Sequence, residues 1–202
     1  MPIMETETET KLLNGLWQTM AEHGWDGLTM ARVAAAAGVP LAELRRRCPT
    51  RLHLLWLHGR ALDAAVLQSG TADQHGTPRD RIFDVLMRRI DAMQPHRAGL
   101  LRLFEDVKRD PLLALLLLAA LPQSMAWMLE SAGLSPAGLP GLLRVKGTSA
   151  VWLATLRAWA GDETQDLAPT MAALDKALDQ AERLAQRLGI GPGDTDASAA
   201  EG

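Results

Sequence analysis

Apolar residues recur three and four positions apart along nearly the whole of this chain, and strict alternation of apolar and polar residues is almost absent. Because that spacing lines one face of an α-helix, whereas alternation is typical of a strand, the pattern predicts an all-α protein. Residues that end helices, such as Gly24, Gly38 and Pro49, fall between the periodic segments. Helices are expected at roughly 11–23, 30–37, 40–47, 50–68, 79–94, 96–109, 111–131, 139–160 and 166–188.

Segments of biased composition divide the chain. The acidic repeat ETETET near the start and the small polar residues at the end bury too little apolar surface to offset the entropy of ordering. Disordered tails are therefore expected at 1–10 and 189–202. The cluster SGTADQHGTP at 69–78 is typical of a linker. It separates two predicted domains, at 11–68 and 79–188.

Composition limits the class of protein. Of 202 residues, 48% are hydrophobic and 22% charged, as in ordinary globular domains. The single cysteine, Cys48, cannot form an internal disulfide or hold zinc alone. Residues 1–11 lack the cationic and apolar regions of a signal peptide, which favours a cytoplasmic protein.

No pattern of catalytic or metal-binding residues stands out. The chain has no G-x-S-x-G motif and no glycine-rich phosphate loop. None of the histidines has a recognised metal-binding spacing; they are His23, His53, His58, His75 and His96. We therefore expect a protein that is not an enzyme and that needs no cofactor.

The N-terminal block has the organisation of a helix-turn-helix. The predicted helices at 30–37 and 40–47 are joined by Ala-Gly-Val-Pro, in which Gly38 permits a tight bend. Seven cations stand against four anions over residues 11–68, so positive charge is concentrated here. The second of these helices is predicted to bury Leu44 together with Leu41. Its other side chains then face solvent or a major groove of double-stranded DNA: Ala42, Glu43, Arg45, Arg46 and Arg47.

These residues resemble the TetR family of transcriptional regulators from Leu12 through about Leu62. The shared pattern comprises Gly24-Trp25, Leu28-Thr29, Val33-Ala34, Ala37-Gly38-Val39-Pro40, Leu44, Cys48-Pro49-Thr50-Arg51 and Leu54-Leu55. The resemblance implies a TetR-like fold and a homodimer, with Arg51 in place of the family's phosphate-binding lysine. By position, the residues facing DNA are Thr29, Pro40, Leu41, Ala42, Glu43, Arg45, Arg46, Arg47 and Arg51.

The chain departs from the family pattern at three positions of this block. Ala42, Arg45 and Cys48 stand where the family usually has Gly, Tyr and Phe. Arginine can still hold a phosphate through its forked donors, whereas Cys48 fills less volume than the phenylalanine that it replaces. The alternative is a vestigial helix-turn-helix whose arginines only face solvent.

The C-terminal block carries more large apolar side chains than a minimal bundle needs. These could line a cavity for an apolar small molecule, and the alternative is that they are ordinary core. The 19 residues from Pro111 to Leu129 have no charge, close to the length of a membrane span. Because Pro122-Gln123-Ser124 interrupts them, a buried central helix kinked at Pro122 is favoured. The predicted ligand-binding residues are Phe83, Met87, Phe104, Met125, Trp127, Met128 and Trp152.

The same block resembles the C-terminal domain of the ubiquinone-biosynthesis accessory proteins of alphaproteobacteria and mitochondria. The likeness rests on DRIFDVLMRRIDA at 80–92, SMAWMLE at 124–130, and the segments 150–160 and 171–188. It implies a pocket for an isoprenoid lipid and a last helix suited to peripheral membrane contact. Two functions are thus predicted as alternatives. One is a dimeric DNA-binding regulator with an apolar ligand, and the other is a non-enzymatic lipid-binding accessory protein of ubiquinone biosynthesis with a vestigial helix-turn-helix.

Overall fold

The computed structural model describes residues 2–68 and 76–187, with side chains from Glu7 onward, and every regular element in these ranges is helical. The all-α prediction is confirmed. A short 3-10 turn at Gln94–His96 precedes the sixth helix. The helices are α1 (Pro2–Gly27), α2 (Met30–Ala37), α3 (Leu41–Arg47), α4 (Arg51–Gln68), α5 (Pro78–Met93), α6 (Arg97–Val107), α7 (Pro111–Ser131), α8 (Gly138–Gly161) and α9 (Ala168–Arg187).

The first helix begins earlier than the composition suggests. Residues 2–10, predicted as a disordered tail, continue α1. Lys11 Nζ donates to Glu7 Oε1 at 2.7 Å, one turn away, and such a pair stabilises a helix. Gly24 interrupts helical geometry with φ 65° and ψ −176°, where the sequence predicts a break. The other predicted tail, at 189–202, and most of the predicted linker at 69–78 lie outside the described residues.

Two compact units make up the chain, and they divide it differently from the linker predicted at 69–78. In the first unit, the N-terminal helices pack with a second segment of the chain, which contains α6. Its Gly99 lies directly on α1, because a Cβ built there would stand only 2.6 Å from the carbonyl oxygen of Trp17. Periodicity within one helix does not reveal which distant helix it packs against. The units are residues 1–64 with 92–118, and 65–91 with 119–202.

The first unit is built on the apolar face of α1. Leu12, Leu16 and Met20 have no exposed surface, as their spacing predicts. Gly15 lies among them and brings α2 close, since a Cβ there would stand 2.7 Å from the backbone nitrogen of Ala37. The closely packed pair of α1 and α2 is the support on which α3 is presented.

The seventh helix is mostly exposed, so the prediction that it is buried is wrong. Leu112 and Leu115 expose 64% and 63% of their surface, and only 22% of the most apolar 18-residue window is buried. One stripe is covered, including Leu113 and Met125, while the outer leucines are exposed. Pro122 lies within the continuous helix. Among the described residues α7 alone is long and apolar enough to cross a membrane, a test that core helices also pass.

Candidate nucleic-acid interface

The turn between α2 and α3 depends on a left-handed residue. Gly38 has φ 63° and ψ 31°, a conformation that residues with a Cβ rarely adopt. Its N–H donates to Ala35 O at 3.2 Å, and the N–H of Val39 donates to Ala34 O at 3.0 Å, which satisfies the last carbonyls of α2. The chain then reverses direction and enters α3 after Pro40. The predicted bend at Gly38 is confirmed.

The start of α2 is capped by a side chain. Thr29 is extended, with φ −111°, and its Oγ1 accepts a hydrogen bond from Arg32 N at 3.3 Å. Thr29 is exposed, and its hydroxyl hydrogen can be donated to an outside acceptor. Arg32, also exposed, donates from Nη1 to Gly27 O at 2.6 Å. A hydroxyl and a guanidinium therefore lie beside the first turn of α2.

The third helix buries one residue and turns most of the others outward. Leu44 has no exposed surface, as predicted, but Leu41 exposes 51% of its surface, so the prediction that it packs inward is wrong. A helix of seven residues makes fewer than two turns, and Leu44 is the one residue of this helix that is buried. The predicted DNA-facing residues Pro40, Ala42, Arg45 and Arg46 are exposed, while Glu43 and Arg47 are half-buried.

The arginines of α3 differ in their contacts. Arg47 Nε donates to Glu43 Oε1 at 2.7 Å, and Arg46 Nη2 contacts Glu43 Oε2. Arg45 is exposed and forms no hydrogen bond or ion pair with any part of the chain that the structure describes. One carboxylate therefore holds two guanidinium groups, and Arg45 presents its charge to solvent.

Arg51, at the first position of α4, is held by Trp25. Its Nη1 donates to Trp25 O at 2.8 Å, and its guanidinium carbon lies 4.3 Å from the centroid of the Trp25 ring. Both contacts fix the guanidinium at a half-buried position and leave most of its five N–H donors to other acceptors. The predicted phosphate-binding side chain is thus pre-positioned.

A carboxylate of α6 secures the segment that supports Arg51. Asp106 Oδ2 accepts a hydrogen bond from Trp25 N at 2.7 Å, and Arg102 Nε lies 3.5 Å from Asp106 Oδ1. A Cβ on Gly24 would approach Asp106 Oδ2 to 2.7 Å, so this contact needs glycine at the kink. Sequence reasoning missed Trp25 and Asp106, because residues 81 positions apart give no local signal of contact.

The residues predicted to bind an apolar ligand differ in how far they are buried and in the unit to which they belong. Trp127 exposes 45% of its surface, so it does not lie in the interior. An arginine that the sequence analysis did not single out lies in the core of the second unit: Arg89 is buried, with Nη1 3.8 Å from Met128 Sδ and its guanidinium carbon 5.4 Å from the Trp152 ring centroid. Of the others, Met125, Met128 and Trp152 are buried and Phe83 and Met87 half-buried in the second unit, and Phe104 is half-buried in the first.

Comparison with solved structures identifies the fold. The chain is similar to the TetR transcriptional regulator from Nitrosomonas europaea ATCC 19718, with a TM-score of 0.69 and 17% identity over 87% of this chain and 98% of that one. It is also similar to a TetR transcriptional regulator from Rhodococcus sp. RHA1, with a TM-score of 0.58 and 16% identity over 89% and 97% of the two chains. The TetR-like fold predicted from the N-terminal residues is confirmed.

No protein-family model and no curated protein matches the sequence. At 16–17% identity, the two structural likenesses establish the fold alone. The resemblance of the C-terminal block to ubiquinone-biosynthesis accessory proteins stays a prediction.

Proposed function

We propose that this protein is a DNA-binding transcriptional regulator whose α3 enters the major groove. One observation carries the proposal: the left-handed Gly38 turns the chain so that α3 buries only Leu44 and presents an arginine-rich face outward. A short second helix of this kind reads base edges in helix-turn-helix proteins. Arg45, without a partner in the described chain, is the side chain best placed to contact a base or a phosphate.

Contacts to the DNA backbone would come from residues beside α3. The hydroxyl of Thr29 can donate to a phosphate oxygen, and Arg51 can do so with the donors that Trp25 O does not use. Hydrogen bonds of this type set the register of a protein on the duplex. Thr29 and Arg51 therefore position α3, and Arg45 reads the site.

The proposed regulator is a cytoplasmic protein. It acts as a homodimer, because two α3 helices about 34 Å apart would fit successive major grooves. An uncovered apolar stripe on α8 supports self-association. Leu139 and Leu142 expose 70% and 48% of their surface, and Leu153 exposes 43%. Large exposed apolar patches on a protein surface mark sites of interaction. Native mass spectrometry should give twice the 21.9 kDa mass of the chain.

A small apolar molecule is the proposed effector, bound among the large side chains of the second unit. Met125, Met128 and Trp152 are buried there, and methionine adapts its shape to a ligand. Binding would favour one separation of the two α3 helices over another, which changes the affinity for DNA. The protein on this account binds and responds, and catalyses no reaction.

Salt dependence tests the DNA-binding proposal. Fluorescence anisotropy with a labelled duplex should give an affinity that falls steeply between 50 and 200 mM salt, because phosphate contacts release counterions. Arg45→Ala should weaken binding by about 1–3 kcal/mol. Arg187→Ala removes an exposed arginine from the last position of α9 and serves as the matched control. Equal effects of the two substitutions, or no binding at 50 mM salt, would contradict the proposal.

A further inference from the structure

A carboxylate lies in the middle of the arginine-rich face of α3. Residues 28–51 contain five arginines and one acidic residue, Glu43. Its two oxygens contact separate guanidinium groups, Oε1 that of Arg47 and Oε2 that of Arg46. The side chain of Glu43 exposes 24% of its surface and that of Arg46 exposes 75%, so the carboxylate lies beneath the guanidinium group of Arg46. The proposed phosphate and base contacts do not need an acidic group at this position.

Helix geometry explains why these three side chains meet. Residues three and four positions apart share a helix face, and an acid that precedes a base by four residues is the favourable order. Pairs with an exposed partner are weak, and the Arg46 side chain exposes 75% of its surface, so a stronger acceptor can draw its guanidinium group away. Arg46 is therefore held in the free protein without being locked.

We infer that Glu43 is a specificity-determining residue of α3. Its carboxylate lowers the affinity of this face for most DNA sequences, but not for sites that offer the carboxylate a hydrogen-bond donor. The inference rests on the proposed function. In a major groove, the carboxylate is brought toward phosphates that repel it, and it competes with them for Arg46 and Arg47. The amino group of a cytosine can donate to a carboxylate, which compensates Glu43 at that base pair alone. Discrimination then comes from a penalty on all other sequences.

The first test uses a labelled duplex of random sequence, with affinity measured from 50 to 200 mM salt. Glu43→Gln should bind about 5- to 10-fold more tightly at 100 mM salt, with a log–log salt slope steeper by about one, because it removes one repelling charge. Glu43→Asp keeps the charge and should bind like the unmodified protein, which also separates the effect from any loss of folding. Glu105→Gln removes an exposed carboxylate that pairs with Lys108 three residues on, and should change nothing.

The second test is selection from a pool of randomised duplexes. The unmodified protein should enrich a motif with a cytosine whose enrichment disappears in Glu43→Gln, while the rest of the motif persists. If the unmodified protein enriches a motif, and Glu43→Gln enriches the same motif with unchanged affinity for random DNA, the inference is overturned and the proposed function stands. If the unmodified protein binds no duplex, the proposed function is overturned and the inference falls with it.

Discussion

At the scale of single residues, two glycines shape the candidate interface for different physical reasons. Gly38 needs its left-handed backbone and has open space where a Cβ would lie. Gly24 needs both a positive φ and the absence of a Cβ, since Asp106 and Arg102 lie against it. The sequence predicts a chain break at both positions. Only the structure distinguishes a turn that is set by the backbone from one that is set by a neighbouring helix.

Replacing Gly38 with alanine should therefore destabilise the protein by about 1 kcal/mol, the cost of placing a Cβ in the left-handed region. Gly38→Asn should cost less, because asparagine tolerates that conformation best among residues with a side chain. Denaturant unfolding of both variants measures the difference. A larger loss in the asparagine variant would show that space, and not backbone conformation, limits this position.

Asp106 fixes the position of Arg51 indirectly, because it holds Trp25, which contacts Arg51. Asp106→Ala leaves the N–H of Trp25 without its acceptor and should lower the free energy of unfolding by about 1–3 kcal/mol. We also expect weaker binding to DNA with a shallower salt slope, because Arg51 is no longer fixed beside a phosphate. Arg51→Ala serves as the comparison, since it should reproduce the shallower slope with little loss of stability. An unchanged slope in Asp106→Ala would mean that the carboxylate only stabilises the fold.

At the scale of elements, periodicity and helix-ending residues predict most helix boundaries to within about two residues, because both signals are local. Met30 and Pro111 begin helices as expected. The predictions that were wrong or missing concern which parts of the chain pack against each other. The outer face of α7 is apolar yet exposed, and α6 packs on α1 through Gly99, facts that depend on residues distant in sequence. The part of the candidate site that forms one continuous segment of the sequence was predicted. The contacts with α6 that support this segment were not predicted.

The connection from α8 to α9 shows a further element-level feature that the sequence did not reveal. Asp162 is buried, and each of its oxygens accepts from one threonine: Oδ1 from Thr164 N and Oγ1 at 3.0 and 2.6 Å, and Oδ2 from Thr170 N and Oγ1 at 3.0 and 2.6 Å. Thr170 lies in the first turn of α9 and has no exposed surface. The carboxylate thereby caps α9 from a position eight residues upstream.

Asp162→Asn replaces one of these two oxygens with a group that cannot accept a hydrogen bond. We expect a lower melting temperature and faster amide hydrogen exchange in the first turn of α9, because Thr170 loses its buried acceptor. Glu163→Gln changes an exposed acid beside it and should alter neither quantity. Exchange rates in α9 that do not respond to Asp162→Asn would contradict this assignment.

At the scale of the whole molecule, stability should fall in two separate pH ranges. Burial lowers the pKa of His96, which stacks on Trp17 with ring centroids 6.2 Å apart. The unfolded chain then binds a proton more readily than the folded one, so stability is complete above the unfolded pKa near 6.5 and falls as the pH drops below it. The hydrogen bonds of Thr164 and Thr170 hold the pKa of Asp162 far below its usual value, so its contribution is lost only below about pH 4.

Thermal melts from pH 8 to pH 3 would resolve both ranges. In His96→Gln the fall that begins below pH 6.5 should be smaller than in the unmodified protein, and the fall below pH 4 should persist. Asp162→Asn should show the reverse. A pH profile that neither substitution changes would assign the loss of stability to other groups.

The central claim is that DNA is bound by the outward face of α3 and the residues beside it. Hydrogen–deuterium exchange of the full chain, with and without a DNA duplex at 50 mM salt, measures the contacted segment directly. We predict that DNA slows exchange in peptides covering residues 28–51, with Arg45→Ala removing this protection. Protection confined to α8 and α9, or no protection anywhere, would contradict the account.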